Sequence, residues 1–229
     1  MKRIVITGGS SGIGREIALE MAQDGHAFYL VARNEEKLQG VSREVESLES
    51  KAFFGVGDVA DENDVDRLYN EILESIGGID VIIANAGVGY FGNLEDITPE
   101  QFDEQFNTNV RGVFLWLHKV LPLMKKQASG QIIVTSSNLG LNTSPRASIY
   151  SATKHAVQAM VWSLREELKG TGVKAATINP GSVSTPWFDG KDVDRNKMLT
   201  ARDVARAVRL IIDQNETSNI DHILLMPGR

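Results

Sequence analysis

The chain has 229 residues, with 24 Lys and Arg against 30 Asp and Glu, for a formal net charge of −6. That acidic excess argues against a sequence-independent grip on nucleic acid or an anionic membrane surface. No cysteine occurs, which excludes disulfides, thiolate nucleophiles, iron–sulfur clusters and cysteine-ligated zinc.

Met1-Lys2-Arg3 precedes only three apolar residues before Thr7-Gly8-Gly9, too few for the roughly 7–15-residue apolar core of a signal peptide. The longest uncharged stretch, Gln127 to Pro145, is rich in Ser, Asn, Thr and Gly, so no segment reads as a membrane span. The expectation is a soluble, cytoplasmic protein.

Short β-rich runs then alternate with amphipathic ones. In chain order they are a strand Arg3–Ile6, a helix over 12–24, a strand Ala27–Ala32, a helix over 34–48, a strand Ala52–Val56 and a helix over 61–75. There follow a strand Ile79–Asn85, a helix over 99–127, a strand Gln131–Thr135, a helix over 148–169, a strand Val173–Asn179, a helix over 200–214 and a strand His222–Met226. Val81-Ile82-Ile83-Ala84 and Ile132-Ile133-Val134 are continuously apolar, as parallel strands covered on both faces are. The pattern predicts an α/β fold, a doubly wound, seven-stranded parallel sheet in one domain spanning 1–229. Val113–Leu117 and Ala156–Trp162 carry bulky apolar groups all round their helices. A helix of that kind is buried by the core or by a partner subunit, and a homodimer or homotetramer through the helices near 99–127 and 148–169 is the expectation.

The first strand runs into Thr7-Gly8-Gly9-Ser10-Ser11-Gly12-Ile13-Gly14 and then a helix. Strand, glycine turn and helix form the context in which backbone can approach a pyrophosphate and a helix N-terminus can receive it. The spacing is G-x-x-x-G-x-G rather than G-x-G-x-x-G, and a glycine cluster alone also serves as a tight turn. The second strand ends Leu30-Val31-Ala32-Arg33-Asn34. No carboxylate stands there to bind a ribose 2′-hydroxyl, and Arg33 suits a 2′-phosphate, so NADP(H) is favoured over NAD(H).

Further along stand Ala84-Asn85-Ala86-Gly87, Asn109 within Asn107-Thr108-Asn109-Val110, Ser136-Ser137, Tyr150-Ser151-Ala152-Thr153-Lys154 and Asn179-Pro180-Gly181-Ser182-Val183-Ser184-Thr185. Together with the glycine turn, these segments resemble the short-chain dehydrogenase/reductase family in its compact, single-domain branch, in order and over almost the whole chain. The resemblance implies Asn109, Ser137, Tyr150 and Lys154 as the catalytic set. It also implies cofactor contacts from Gly8, Ser10, Ser11, Gly12, Ile13, Gly14, Arg33, Asp58, Val59, Asn85, Ala86, Gly87, Tyr150, Lys154, Pro180, Gly181, Val183 and Thr185. In this reading Asn109 holds a water bonded to the lysine, and Ser137 is chosen over Ser136 as the second of the pair. One departure is Ala84, where the family commonly has a first asparagine. Asp58 read by itself could equally be a turn residue.

A physical argument stands beside the resemblance. Tyr150 and Lys154 are four apart and share a helix face. An ammonium beside a phenol, joined by the positive nicotinamide ring of an oxidised cofactor, stabilises the phenolate and brings its pKa down toward working pH. Ser137 would then hydrogen-bond the substrate oxygen. His26, His118, His155 and His222 have no metal-ligand spacing. Substrate contacts are expected from Val88–Phe91, from Asn138–Ile149 and from a short lid over 186–199, the carboxyl-end loops. The function expected is an NADP(H)-dependent reductase of ketones or aldehydes to alcohols. A non-catalytic NADP(H) sensor and an NAD(H)-preferring alcohol dehydrogenase are the alternatives, and a sugar-nucleotide epimerase of the extended branch would need a larger substrate domain.

Overall fold

Continuous apolar runs make poor surface strands, and here each is sandwiched between helices. In the computed structural model, which describes residues 1–228, the strands are β1 (Arg3–Thr7), β2 (Ala27–Ala32), β3 (Lys51–Val56), β4 (Val81–Ala84), β5 (Gly130–Thr135), β6 (Val173–Pro180), β7 (Val183–Ser184), β8 (Leu199–Thr200) and β9 (His222–Leu225). The helices are α1 (Gly12–Met21), α2 (Glu35–Glu46), α3 (Glu62–Ile76), α4 (Pro99–Phe106), α5 (Gly112–Gln127), α6 (Ser148–Glu167) and α7 (Ala201–Ile212). Seven strands form one parallel sheet in the order β3-β2-β1-β4-β5-β6-β9. This is the expected single-domain Rossmann fold.

Successive side chains along a strand point to opposite faces, so each strand serves two cores. Ile4, Ile6, Phe28, Leu30 and Ile83 pack with α1, α2 and α7 through Ile17, Met21, Leu38, Val204 and Val208. Val5, Tyr29, Val31, Ile82 and Val134 pack on the other face with α3, α5 and α6 through Leu68, Ile72, Trp116, Val120, Val157 and Val161. Arg3 fixes the register at the amino end. Its backbone N–H donates to Asp80 Oδ2 at 2.8 Å, and its guanidinium donates to both Asp80 oxygens, at 3.0 and 2.5 Å.

Helix starts follow their caps. The Asn34 carboxamide accepts from the Lys37 N–H, Asp61 accepts from the Asp64 N–H, and Thr98 with Gln101 and Thr200 with Asp203 form capping boxes. The start of α1 has no side-chain cap on Ser11 and no acidic residue in its first turn.

Two elements differ from expectation. The helix expected over 99–127 is interrupted by a π turn at Asn107–Arg111 between α4 and α5. The segment expected as a lid is tied at its base, because β7 pairs with β8 at Val183↔Leu199 and Ser184↔Thr200. Among the described residues, no helix is long and apolar enough to cross a membrane.

The sheet order reverses between β2 and β4 around β1, which places a crevice at the carboxyl ends of β1 and β4. That crevice holds the candidate site.

Candidate active site

At the end of β1 the chain must turn sharply, and glycine permits it. Gly8 and Gly12 have φ of +67° and +54°, left-handed backbone that L side chains rarely adopt. A Cβ on Gly14 would stand 2.3 Å from the Gly8 carbonyl oxygen, so α1 can close onto the turn only without one. Thr7, the last residue of β1, ties the turn to the segment that follows β4. Its Oγ1 accepts from the backbone N–H groups of Asn85 and Ala86, at 3.0 and 3.1 Å. The Asn85 carboxamide donates to the Thr7 carbonyl at 3.2 Å and accepts from Thr135 Oγ1 at 3.1 Å. Asn85 thus ties β1, β4 and β5 together beneath the turn.

Over this turn runs a continuous cleft of about 1070 Å³. One end is lined by Arg33, Asn34, Lys37, Asp58 and Val59, the middle by Gly8, Ser10, Ser11, Gly12, Ile13, Asn85, Ala86 and Gly87, and the other end by Ser137, Tyr150, Lys154, Pro180, Gly181, Val183 and Thr185. Arg33 and Lys37 bring two cations to the first end. Asp58 lines it too while also acting as the turn residue, its Oδ1 accepting from the Ala60 N–H at 2.9 Å.

At the second end β5 delivers Ser137 and α6 delivers Tyr150 and Lys154. Ser137 Oγ accepts from the Leu139 N–H at 3.1 Å and donates to Asn138 Oδ1 at 3.2 Å, on the same side of the cleft as the Tyr150 phenol. Lys154, 4 % exposed, donates from Nζ to the Thr135 carbonyl at 2.9 Å, and Nζ stands 5.7 Å from the Tyr150 ring centroid. Burial drives both groups toward neutrality. The Tyr150 phenol is pushed up to about 12 by burial, against a smaller lowering by Ser137. Burial brings the Lys154 ammonium down to about 8. Lys154 directs a proton at Thr135, and burial outweighs what stabilisation the phenolate receives.

Two of the sequence-predicted residues lie behind the cleft wall. Gly14 is buried against Gly8. Asn109 is buried within the π turn, with Oδ1 accepting from the Val88 N–H and Nδ2 donating to the Val88 carbonyl, both at 2.8 Å. Its Nδ2 also donates to Thr153 Oγ1 at 3.1 Å, and that hydroxyl donates to the Tyr150 carbonyl at 2.7 Å. Asn109 so clamps the loop after β4 to the helix carrying Tyr150. Sequence reasoning missed Thr7 and Lys37. Thr7 directly precedes Gly8, and Lys37 lies one turn inside the helix that follows Arg33, so adjacency was the available signal.

The short chain dehydrogenase family profile matches residues 2–196. The chain belongs to the short-chain dehydrogenase family. An uncharacterized oxidoreductase of Staphylococcus epidermidis is 34 % identical over 226 residues, covering 99 % of this chain and 97 % of that protein. One from Staphylococcus aureus strain MW2 is 33 % identical with the same coverage. Among solved structures, an alcohol dehydrogenase from the archaeon Thermococcus sibiricus, complexed with 5-hydroxy-NADP, superposes with a TM-score of 0.91 at 32 % identity, covering 98 % of this chain and 96 % of that one. A 3-ketoacyl-(acyl-carrier-protein) reductase from Brucella melitensis, complexed with NADH, gives 0.92 at 27 % identity, covering 100 % and 98 %. As a short-chain dehydrogenase, this protein is an oxidoreductase.

Proposed function

We propose that this oxidoreductase uses NADP(H) and reduces a ketone or aldehyde to an alcohol. The observation that carries the reading is the meeting of Ser137, Tyr150 and Lys154 at one end of a cleft whose other end presents Arg33 and Lys37.

The cleft fits a dinucleotide. Gly8 and Gly12 leave room beside the turn, and the uncapped start of α1 offers free N–H groups to a pyrophosphate through Ser10, Ser11, Gly12 and Ile13. Arg33, with Lys37 beside it, would take the 2′-phosphate. Asp58 and Val59 would border the adenine, Asn85-Ala86-Gly87 the adenosine ribose, Lys154 the nicotinamide ribose, and Pro180, Gly181, Val183 and Thr185 the carboxamide. When bound, the nicotinamide supplies or accepts a hydride.

The chain's own residues handle the oxygen. Ser137 donates a hydrogen bond to the carbonyl and steadies the developing alkoxide. Tyr150 gives that oxygen its proton. A phenol raised by burial is protonated at neutral pH, the state in which it can give a proton to the oxygen. Asn109 positions Tyr150 through Thr153. The outward sides of α5 and α6 are the proposed contact of a homo-oligomer, and the cytoplasm is the proposed location.

The test is NADPH and NADH oxidation against a panel of aldehydes and ketones. The wild type should turn over with NADPH preferred, and Tyr150→Phe should lose at least about 100-fold in kcat while keeping its NADPH affinity. Arg33→Ala should weaken NADPH by about 10–100-fold, an effect of about 1.4–2.8 kcal/mol, and leave NADH nearly unchanged. Substantial turnover by Tyr150→Phe would remove the tyrosine from the chemistry, and equal losses for both cofactors would remove Arg33 from the phosphate.

A further inference from the structure

Beyond Tyr150 the cleft opens into a pocket with aromatic walls. The Phe91 ring centroid lies 5.2 Å from that of Tyr150, and the Trp187 ring meets Tyr150 edge-on at 6.0 Å. Gly89 makes the approach possible, since a Cβ there would stand 2.6 Å from Trp187 Cζ2 and 2.9 Å from Tyr150 Cδ2. Leu139 adds an aliphatic side.

One charge closes this box. Lys191 Nζ stands 5.4 Å from the Phe188 ring centroid, 5.9 Å from Phe91 and 6.0 Å from Trp187, within the range at which a ring face attracts a cation. The rings hold the ammonium at the mouth without neutralising it. Among the described residues no carboxylate pairs with Lys191, while Asp189 is taken by Arg195 at 2.6 Å and Asp194 faces Lys197 at 3.5 Å. Arg195 also donates to the Thr185 carbonyl at 3.2 Å, which leaves Lys191 as the one uncommitted cation of the segment. The carboxylate lining the cleft, Asp58, is at its opposite end.

We propose that this short-chain dehydrogenase acts on a carbonyl compound that bears a carboxylate, with an apolar, aryl-sized body between the two, and that Lys191 is the anchor for the carboxylate. The inference rests on the reductase reading above and names its substrate class. A lone ammonium with no arginine or backbone N–H cluster beside it suits a carboxylate monoanion, whereas phosphate recognition calls on several donors. The aromatic walls suit the flat body, and Tyr150 and Ser137 meet the carbonyl at its far end. The carboxylate takes no part in the reaction. The carbonyl carbon gains the hydride, its oxygen gains the Tyr150 proton, and the product is a hydroxy acid.

The test compares 4-formylbenzoate with its methyl ester, which share the aldehyde and the ring and differ in charge. Binding is followed by tryptophan fluorescence, for which Trp187 is a reporter inside the box, and turnover by NADPH absorbance. Wild type should bind the acid about tenfold more tightly than the ester, the gain expected of one charge-assisted contact. Lys191→Met should abolish the preference, Lys191→Glu should reverse it and Lys191→Arg should retain most of it, with circular dichroism confirming that each variant is folded. Equal binding of acid and ester by the wild type, failure of the acid to bind, or a preference that survives in Lys191→Met would overturn the proposal. A Lys191-dependent preference in binding, with neither aldehyde turned over, would uphold the anchor and count against the reductase reading alone.

Discussion

Lys154 shows at the scale of one residue how the site opposes the fold. Its ammonium is buried with the Thr135 carbonyl as its protein acceptor, and burial lowers its pKa to about 8, against about 10.4 in an unfolded chain. The unfolded state therefore binds more protons between roughly pH 8 and pH 10.4, and stability rises with pH across that window. Below it, at pH 7, the lysine is charged in both states and the folded protein bears a cost of about 3 kcal/mol. Lys154→Met should raise unfolding stability in urea at pH 7 by about 1–3 kcal/mol, the lower part of the range reflecting the lost bond to Thr135. It should also flatten the rise toward pH 10 and remove turnover. The reduction rate of the wild type should fall above about pH 8, where the lysine loses its proton, because the Tyr150 phenol holds its own until about 12. An unchanged or lower stability of Lys154→Met at pH 7 would show that the buried charge carries no net cost.

Among the elements, the glycine turn and the helix it opens make the sharpest contrast. A Cβ at position 14 would meet a backbone oxygen at 2.3 Å, and backbone cannot step aside as a side chain can. Gly14→Ala should push α1 off the turn, cost about 1–3 kcal/mol of stability and weaken NADPH binding at least about tenfold. Gly40, inside α2, has open space on the side where a Cβ would stand, with no neighbour within 4 Å. Gly40→Ala should add about 0.5–1 kcal/mol through helix propensity alone. Thermal melts of the two variants separate these effects, and a Gly14→Ala protein as stable as wild type would show that the turn relaxes freely. These elements were legible in the sequence because their causes are local. Val81–Ala84 is apolar without alternation, Asn34 and Thr98 are cap residues in cap positions, and the glycines follow a strand. The π turn was not legible, because Asn107–Arg111 continues a helical pattern and the extra residue is accommodated by Asn109 gripping Val88, a contact made across the fold. The Phe91 and Lys191 segments of the aromatic box were legible as loops at the carboxyl ends of the strands, but the box itself was not. Phe91, Tyr150 and Lys191 sit on three separate segments, and only the sheet brings them together.

For the whole molecule, the apolar faces of α5 and α6 raise the question of what covers them. Most of their bulky groups face inward, with Val113, Trp116, Leu117, Val157 and Val161 buried in the core, so the run of apolar residues is largely explained within one chain. Phe114 and Trp162 are not, standing 50 % and 46 % exposed on helices that cover the same face of the sheet. Phe114 is stacked on His118 with centroids 5.5 Å apart. Large aromatics at a surface are the groups that carry binding energy in protein interfaces. A net charge of −6 per chain is too small to keep copies apart at physiological ionic strength. Light scattering should therefore give a mass at least twice the 25.1 kDa of the chain at micromolar concentration. Phe114→Glu with Trp162→Glu should move it to the monomer, because each buried carboxylate would have no partner to meet it. Both positions are exposed in the single chain, so the double variant should keep its circular dichroism spectrum and its NADPH affinity. A wild type that runs as a 25.1 kDa monomer, or a double variant that still associates, would assign this face to some other role.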